Sequence, residues 1–261
     1  PDSPPAIRTD MDIVGNGFLA RHLRSLAGRH GRTLVLAAGV SWAAHTSPAD
    51  FAREAALVEE KIAACLASGE RLVFFSTAST GMYGKVDGPG REDRPVVPCT
   101  PYGTHKLALE KRLEASGVDY LALRLGHLVG PGQPPHQLLP TLVRQMRTGT
   151  VHVHRGATRD LIDIDDVVTI VDRLLGAGLS REKVNVASGN AVPIERIIDH
   201  IEERTGLAAR RVYRDRGGHH TISTDKLRAL VPETEAMGFG PSYHRRVLDA
   251  FLTAAVPTAT P

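Results

Sequence analysis

A chain of 261 residues, 42% hydrophobic and 23% charged, can bury one or two cores and has the balance of an ordinary globular protein. Its net charge of +3 is scattered among acids with no dense Lys/Arg tract, which argues against a nucleic-acid surface. No apolar run reaches membrane-helix length, and residues 1–10, with three prolines, contain no apolar signal region.

Cys65 and Cys99 form no CxxC pair and suggest no disulfide framework, so the expectation is a cytoplasmic protein with reduced thiols and no membrane partner. Met11 precedes the first strand-like run, which marks residues 1–10 as an extension with no expected role in the fold.

In chain order, residues 11–14 predict a short strand entering Gly15-Asn16-Gly17, and 18–26 a helix stopped at Gly28 or Gly31. The run 33–38 is almost continuously apolar, as a strand buried on both faces requires. Ser47-Pro48-Ala49-Asp50 combines an N-cap serine, a first-turn proline and a carboxylate three residues after the cap. The helix it opens extends to about residue 68, with Phe51, Ala55, Val58, Ile62 and Leu66 at helical spacing.

A third strand is predicted at 71–75, a turn-rich loop at 84–101, a helix at 102–115 and a fourth strand at 120–125. After Pro131 the pattern changes. A helix near 138–146 and a short alternating strand at 151–154 precede a helix at 165–175, a strand at 184–186 and a helix at 194–205 closed by Gly206. Strands alternating with helices predict a parallel α/β sheet.

Gly15-Asn16-Gly17-Phe18-Leu19-Ala20 fits G-x-G-x-x-A between a strand and a helix. Such glycines permit a tight turn and close backbone approach to a pyrophosphate, next to a helix N-terminus. A plain strand-to-helix turn competes with this explanation, and position as the first βα turn favours the dinucleotide. No Asp or Glu stands in 33–40, where an acid normally holds the ribose 2′-hydroxyl. Arg29, His30 and Arg32 lean weakly toward the 2′-phosphate of NADP, but solvated charges are the commoner explanation for such residues.

Tyr102 and Lys106 are four apart on a predicted helix and share one face. A phenol ordinarily loses its proton only near about pH 10, and an adjacent ammonium favours the phenolate needed for acid/base work.

Taken together and in order, several segments resemble the extended short-chain dehydrogenases, the NAD-dependent epimerase/dehydratase family. Leu36-Ala37-Ala38 is similar to the family's fourth-strand motif, and residues 76–84 (STASTGMYG) to its serine-rich strand end followed by Tyr-Gly. Residues 101–106 (PYGTHK) are similar to its catalytic helix, and 124–133 (RLGHLVGPGQ) to the turn opening its substrate domain. Residues 159–166 (RDLIDIDD) and 184–189 (VNVASG) complete the series.

The resemblance implies an α/β fold: a Rossmann-like doubly wound parallel sheet, abbreviated at one edge, with a small C-terminal substrate-binding subdomain. Residues 11–130, joined by 161–187, would form the cofactor domain, and 131–160 with 188–255 the smaller one. It implies Tyr102 as acid/base, Lys106 as its partner and holder of the nicotinamide ribose, and Ser79 as the hydroxyl on the reacting oxygen. NAD or NADP would lie against Gly15, Asn16, Gly17, Phe18, Leu19, Ala37 and Ala38, with Tyr102 and Lys106.

A nucleotide sugar would meet Ser79, Thr80, His127, Gln133, Arg159 and Arg216, with Arg159 suited to the diphosphate through its fork of donors. A homodimer through helices 47–68 and 102–115 is also implied.

The departures are specific. Between the glycine loop and Leu36 there is room for one helix only, so two strands at one sheet edge are missing, with most of the adenosine-side pocket. That arrangement also raises a question of crossover hand. Thr80 and Gly81 stand where dehydratases and decarboxylating members carry extra acid/base groups, which disfavours such chemistry. His127 replaces a common Asn, and Asp163 a usual His or Tyr. His152 and His154 lack further ligands, so no metal site is expected. Cys99 is expected to be structural, and 216–220 a plain exposed loop.

The leading expectation is an NAD(P)-dependent epimerase or ketoreductase acting on a nucleotide-activated sugar or related polyol. The alternatives are a cofactor-free binding or regulatory protein on the same scaffold, and a redox-neutral acid/base enzyme using the Tyr-Lys pair.

Overall fold

A computed structural model describes residues 10–41, 46–215 and 217–255. The first half runs β1 (Asp12–Val14), α1 (Phe18–Leu23), β2 (Thr33–Leu36), α2 (Pro48–Ser68), β3 (Arg71–Thr77), α3 (Thr80–Tyr83), β4 (Pro89–Gly90), α4 (Pro101–Ser116), β5 (Tyr120–Leu125) and β6 (His127–Val129). The second runs α5 (Leu138–Arg147), β7 (Thr150–His154), β8 (Thr158–Asp163), α6 (Ile164–Gly176), β9 (Glu182–Val186), β10 (Ala191–Pro193), α7 (Ile194–Thr205), β11 (Arg210–Arg214), β12 (Thr221–Ile222), α8 (Asp225–Leu230) and α9 (Tyr243–Ala255).

Five strands form the main sheet in the order β1-β2-β3-β5-β9, every neighbouring pair parallel. The central stretches of the strands are apolar because both faces are covered. Leu34, Leu36, Leu72, Phe74 and Ala122 pack beneath Val58 and Ile62 of α2 and Leu109 and Leu113 of α4. Val35, Val73, Phe75, Leu121, Leu123 and Val184 face Phe18 and Leu23 of α1 and Val167, Ile170 and Val171 of α6.

β1 is the edge of this sheet, beside β2, so the abbreviated edge is observed. The chain steps from β1 through β2, β3 and β5 to β9 in one direction, with α1 and α6 on one face and α2 and α4 on the other. Those four connections cannot share one hand. Two of them run against the right-handed preference, which holds in about 98% of parallel crossovers.

At the start of α2, the Ser47 hydroxyl accepts from Asp50 N (3.2 Å) and the Asp50 carboxylate accepts from Ser47 N (3.0 Å), the reciprocal cap expected from sequence. The buried face of α2 is Glu54, Val58, Ile62 and Cys65, while Leu66 is 51% exposed. The helix is therefore turned relative to the expected stripe, and a carboxylate points inward.

Beyond the main sheet, β10, β8 and β6 form a three-stranded sheet and β7 pairs with β11. Leu139, Leu142 and Met146 of α5, Ile197, Ile198 and Ile201 of α7, and Val247 and Leu248 of α9 make a separate apolar cluster with Val151 and Val153. Strands β8, β10, β11 and β12 and helices α8 and α9 add to the expected elements; α9 buries Tyr243, Val247, Leu248, Phe251 and Leu252 at helical spacing, a signal present in the sequence. Among the described residues, no helix is long and apolar enough to cross a membrane.

Candidate active site

Ser79 caps α3 at the end of β3, with its backbone N–H on Thr77 Oγ1 (3.1 Å). Tyr102 lies in the first turn of α4, whose cap Thr100 accepts from Gly103 N (3.1 Å). The two segments meet backbone to backbone: a Cβ at Gly103 would lie 2.3 Å from Gly81 O. Only glycine permits that approach, and it sets Tyr102 beside the strand end that carries Ser79.

Lys106, one turn on, is 3% exposed, and its Nζ sits 5.7 Å from the centre of the Tyr102 ring. It donates to Glu54 Oε1 at 2.6 Å and to the Phe75 carbonyl at 3.2 Å. Glu54 Oε2 lies 2.8 Å from His105 Nε2. Glu54 escaped sequence reasoning, although its position four residues before Val58 on an apolar stripe was the available signal.

Gly15 leaves β1 with φ +133°, and a Cβ there would sit 2.5 Å from Ala37 O, so the turn demands glycine. Asn16 is held by Arg24 Nη2 on its Oδ1 (2.8 Å) and by Arg21 Nη1 on its carbonyl (3.3 Å). Phe18 sends its ring into the core, Leu19 packs against the same cluster, and half-buried Ala37 and Ala38 continue from β2. This places the turn, with Gly17 as the cap of α1, next to the ends of β1 and β2.

Thr80 Oγ1 is 2.8 Å from His220 Nδ1, and the His220 ring also hydrogen-bonds the Ala78 backbone. His220 is buried, so residues 217–220 are not the plain exposed loop expected; they close over Thr80. Burial, reinforced by the Arg159 charge, pushes His220 down to about 4 and His127 to about 3. Arg159 is half-buried and donates to the Thr158 carbonyl (2.7 Å), with no carboxylate partner among the described residues.

Gln133 is buried apart from this group, donating to Leu128 O (3.0 Å) and Gln137 Oε1 (2.9 Å). Arg216 lies outside the described residues. Cys99 is exposed, its thiol donating to Thr80 O (3.1 Å).

A buried polar network underlies the site. Arg124 Nη2 donates to Glu110 Oε2 (2.6 Å) and its Nη1 to the Tyr83 hydroxyl (2.7 Å), which donates to Asn185 Oδ1 (2.8 Å). Ser76 Oγ also donates to Glu110. Three of the resembling segments, through Ser76 and Tyr83, Arg124 and Asn185, thus meet here in support of the strand ends rather than in open contact with solvent.

Residues 15–187 match the family model described as NAD dependent epimerase/dehydratase family. The chain is 29% identical over 192 residues to dTDP-6-deoxy-L-talose 4-dehydrogenase (NAD(P)(+)) of Kitasatospora kifunensis, covering 67% of this chain and 59% of that protein. It is 27% identical over 205 residues to UDP-glucose 4-epimerase of Lacticaseibacillus casei, covering 67% and 60%. It spans only about 60% of the length of these relatives.

Among solved structures, RMD from Pseudomonas aeruginosa complexed with NADPH superposes with TM-score 0.74 at 21% identity, covering 94% of this chain and 98% of that one. The UDP-glucose 4-epimerase of Thermotoga maritima with UDP-glucose gives 0.70 at 23%, covering 93% and 83%. These two show the shared fold. With the family model spanning well over half of its length, the chain belongs to the NAD-dependent epimerase/dehydratase family.

Proposed function

We propose that the chain is an NAD(P)-dependent enzyme of the epimerase or ketoreductase kind, acting on a nucleotide-activated sugar or related polyol. The observation that carries this is the Gly81–Gly103 contact, which joins the Ser79 strand end to the Tyr102–Lys106 helix.

The residues present fit a dinucleotide at two of its parts. The Gly15 turn, with an open Cβ position at Gly17, suits close approach of a pyrophosphate, and Lys106 beside Tyr102 suits a nicotinamide ribose. When bound, the nicotinamide ring accepts or returns the hydride. Tyr102 exchanges a proton with the sugar oxygen, and Ser79 hydrogen-bonds that oxygen. Arg159, a half-buried guanidinium with no carboxylate partner among the described residues, suits a diphosphate.

Thr80 is tied to a histidine that is neutral near pH 7, and Gly81 has no side chain, so neither of these two positions supplies a carboxyl group for dehydration. That supports simple hydride transfer. Replacing Tyr102 with Phe is expected to reduce turnover by about 10²–10⁴-fold with the circular dichroism spectrum unchanged. Unaltered turnover of sugar nucleotide with NAD(P) overturns the assignment.

The position of β1 at the sheet edge favours a second reading, a cofactor-free protein on the same scaffold. Calorimetric titration with NAD, NADP and their reduced forms separates the two.

A further inference from the structure

Glu54 is 4% exposed and Lys106 3% exposed, and they meet at 2.6 Å between α2 and α4. An ammonium has three N–H donors. Two are committed, to Glu54 and to the Phe75 carbonyl of β3, and no third acceptor holds it among the described residues. The carboxylate is itself fixed by His105, whose ring packs against Phe51 at a 37° tilt with centroids 4.5 Å apart. The backbone just past Ala37 and Ala38 also runs against the pair: a Cβ at Gly39 would lie 2.3 Å from Glu54 Oε1 and 3.1 Å from Lys106 Nζ.

A buried ion pair is a poor way to stabilise a helix contact, because desolvation offsets most of its attraction and apolar residues of similar size do as well or better. Val58, Ile62 and Cys65 on the same face of α2 show the apolar solution in use one turn away. What the pair adds is definition: a long, flexible side chain is pinned at its tip by two acceptors from two elements, in contact with the Tyr102 ring face.

We propose that Glu54 is a positioning residue of this site, fixing the Lys106 ammonium from α2, with His105 as its anchor, so that the remaining N–H serves the ribose of a bound dinucleotide. This rests on the Tyr102–Lys106 reading given under Proposed function.

The test is a double-mutant cycle read by calorimetric titration of the full chain with NAD⁺ and NADP⁺, using Glu54→Ala, Lys106→Met and both together. Glu54→Ala and Lys106→Met each weaken binding by about tenfold, and the double variant binds no more weakly than Lys106→Met, because Glu54 acts through Lys106. Glu54→Gln, which keeps an oxygen acceptor, shows a smaller loss. If Glu54→Ala fails to fold, Glu54→Gln alone and with Lys106→Met carries the same cycle.

Additive losses overturn the proposal, as does a variant that melts earlier yet binds like the unmodified chain. If the unmodified chain binds neither dinucleotide, the cofactor reading falls and the role of Glu54 falls with it. The outcomes are therefore distinguishable.

Discussion

At the scale of single residues, two histidines near Arg159 show how burial governs charge. Burial is the larger cause of the depression of both His127 and His220, and the guanidinium charge adds to it. Their folded values, about 3 and about 4, lie below the ordinary histidine value of 6.5. The stability they contribute is therefore complete above about pH 6.5 and is lost as pH falls toward those values, because the unfolded chain takes up protons that the folded one refuses. Ring proton shifts of both residues are expected to stay flat from about pH 8 to about pH 5 in an NMR titration. A midpoint near 6.5 for either ring contradicts the burial argument. Neither effect was legible in the sequence, where His127 is one replacement in a turn and His220 one of two histidines in a loop.

Elements impose their own logic. Tyr102, Lys106 and Glu110 stand at i, i+4 and i+8 on α4, so one stripe of a single helix supplies the half-buried phenol, the ammonium bound to α2 and the carboxylate bound to β5. Glu110 is 1% exposed and Arg124 2%, and their bonds tie α4, β5, α3 and β9 together behind the site. Arg124→Met leaves the carboxylate buried without its counter-charge and is expected to cost about 3–5 kcal/mol in chemical denaturation. A loss under about 1 kcal/mol would mean that water or a neighbour replaces the guanidinium with little cost. Removing both charges together should recover much of the deficit.

For the whole molecule, the consequential feature is the sheet that ends at β1. Selection between NAD and NADP normally depends on a group at the end of a neighbouring strand that reads the ribose 2′ position. Here β2 is the strand that neighbours β1, and residues 33–40 contain no acid. The dissociation constants for NAD and NADP are therefore expected to differ by less than about tenfold, or 1.4 kcal/mol. A larger preference in calorimetry would require a discriminating group from elsewhere in the chain. At this same edge α1 lies on the face of α6, where Phe18 and Leu23 find Val167 and Ile170.

Local chemistry determined much of this protein by itself. Helix and strand periods, the Ser47–Asp50 cap, the Gly15 turn and the four-residue spacing of Tyr102 and Lys106 all act within a few residues. They marked the α/β class, the order of the main-sheet strands along the chain and the principal candidates for chemistry. Only the tertiary structure decided what those candidates touch. Glu54 reaches Lys106 across 52 residues and His220 reaches Thr80 across 140, and no local pattern announces either meeting. Which face of α2 turns inward, and which helix lies on which side of the sheet, follow from burying apolar area across the whole chain, a balance that no short stretch of sequence records.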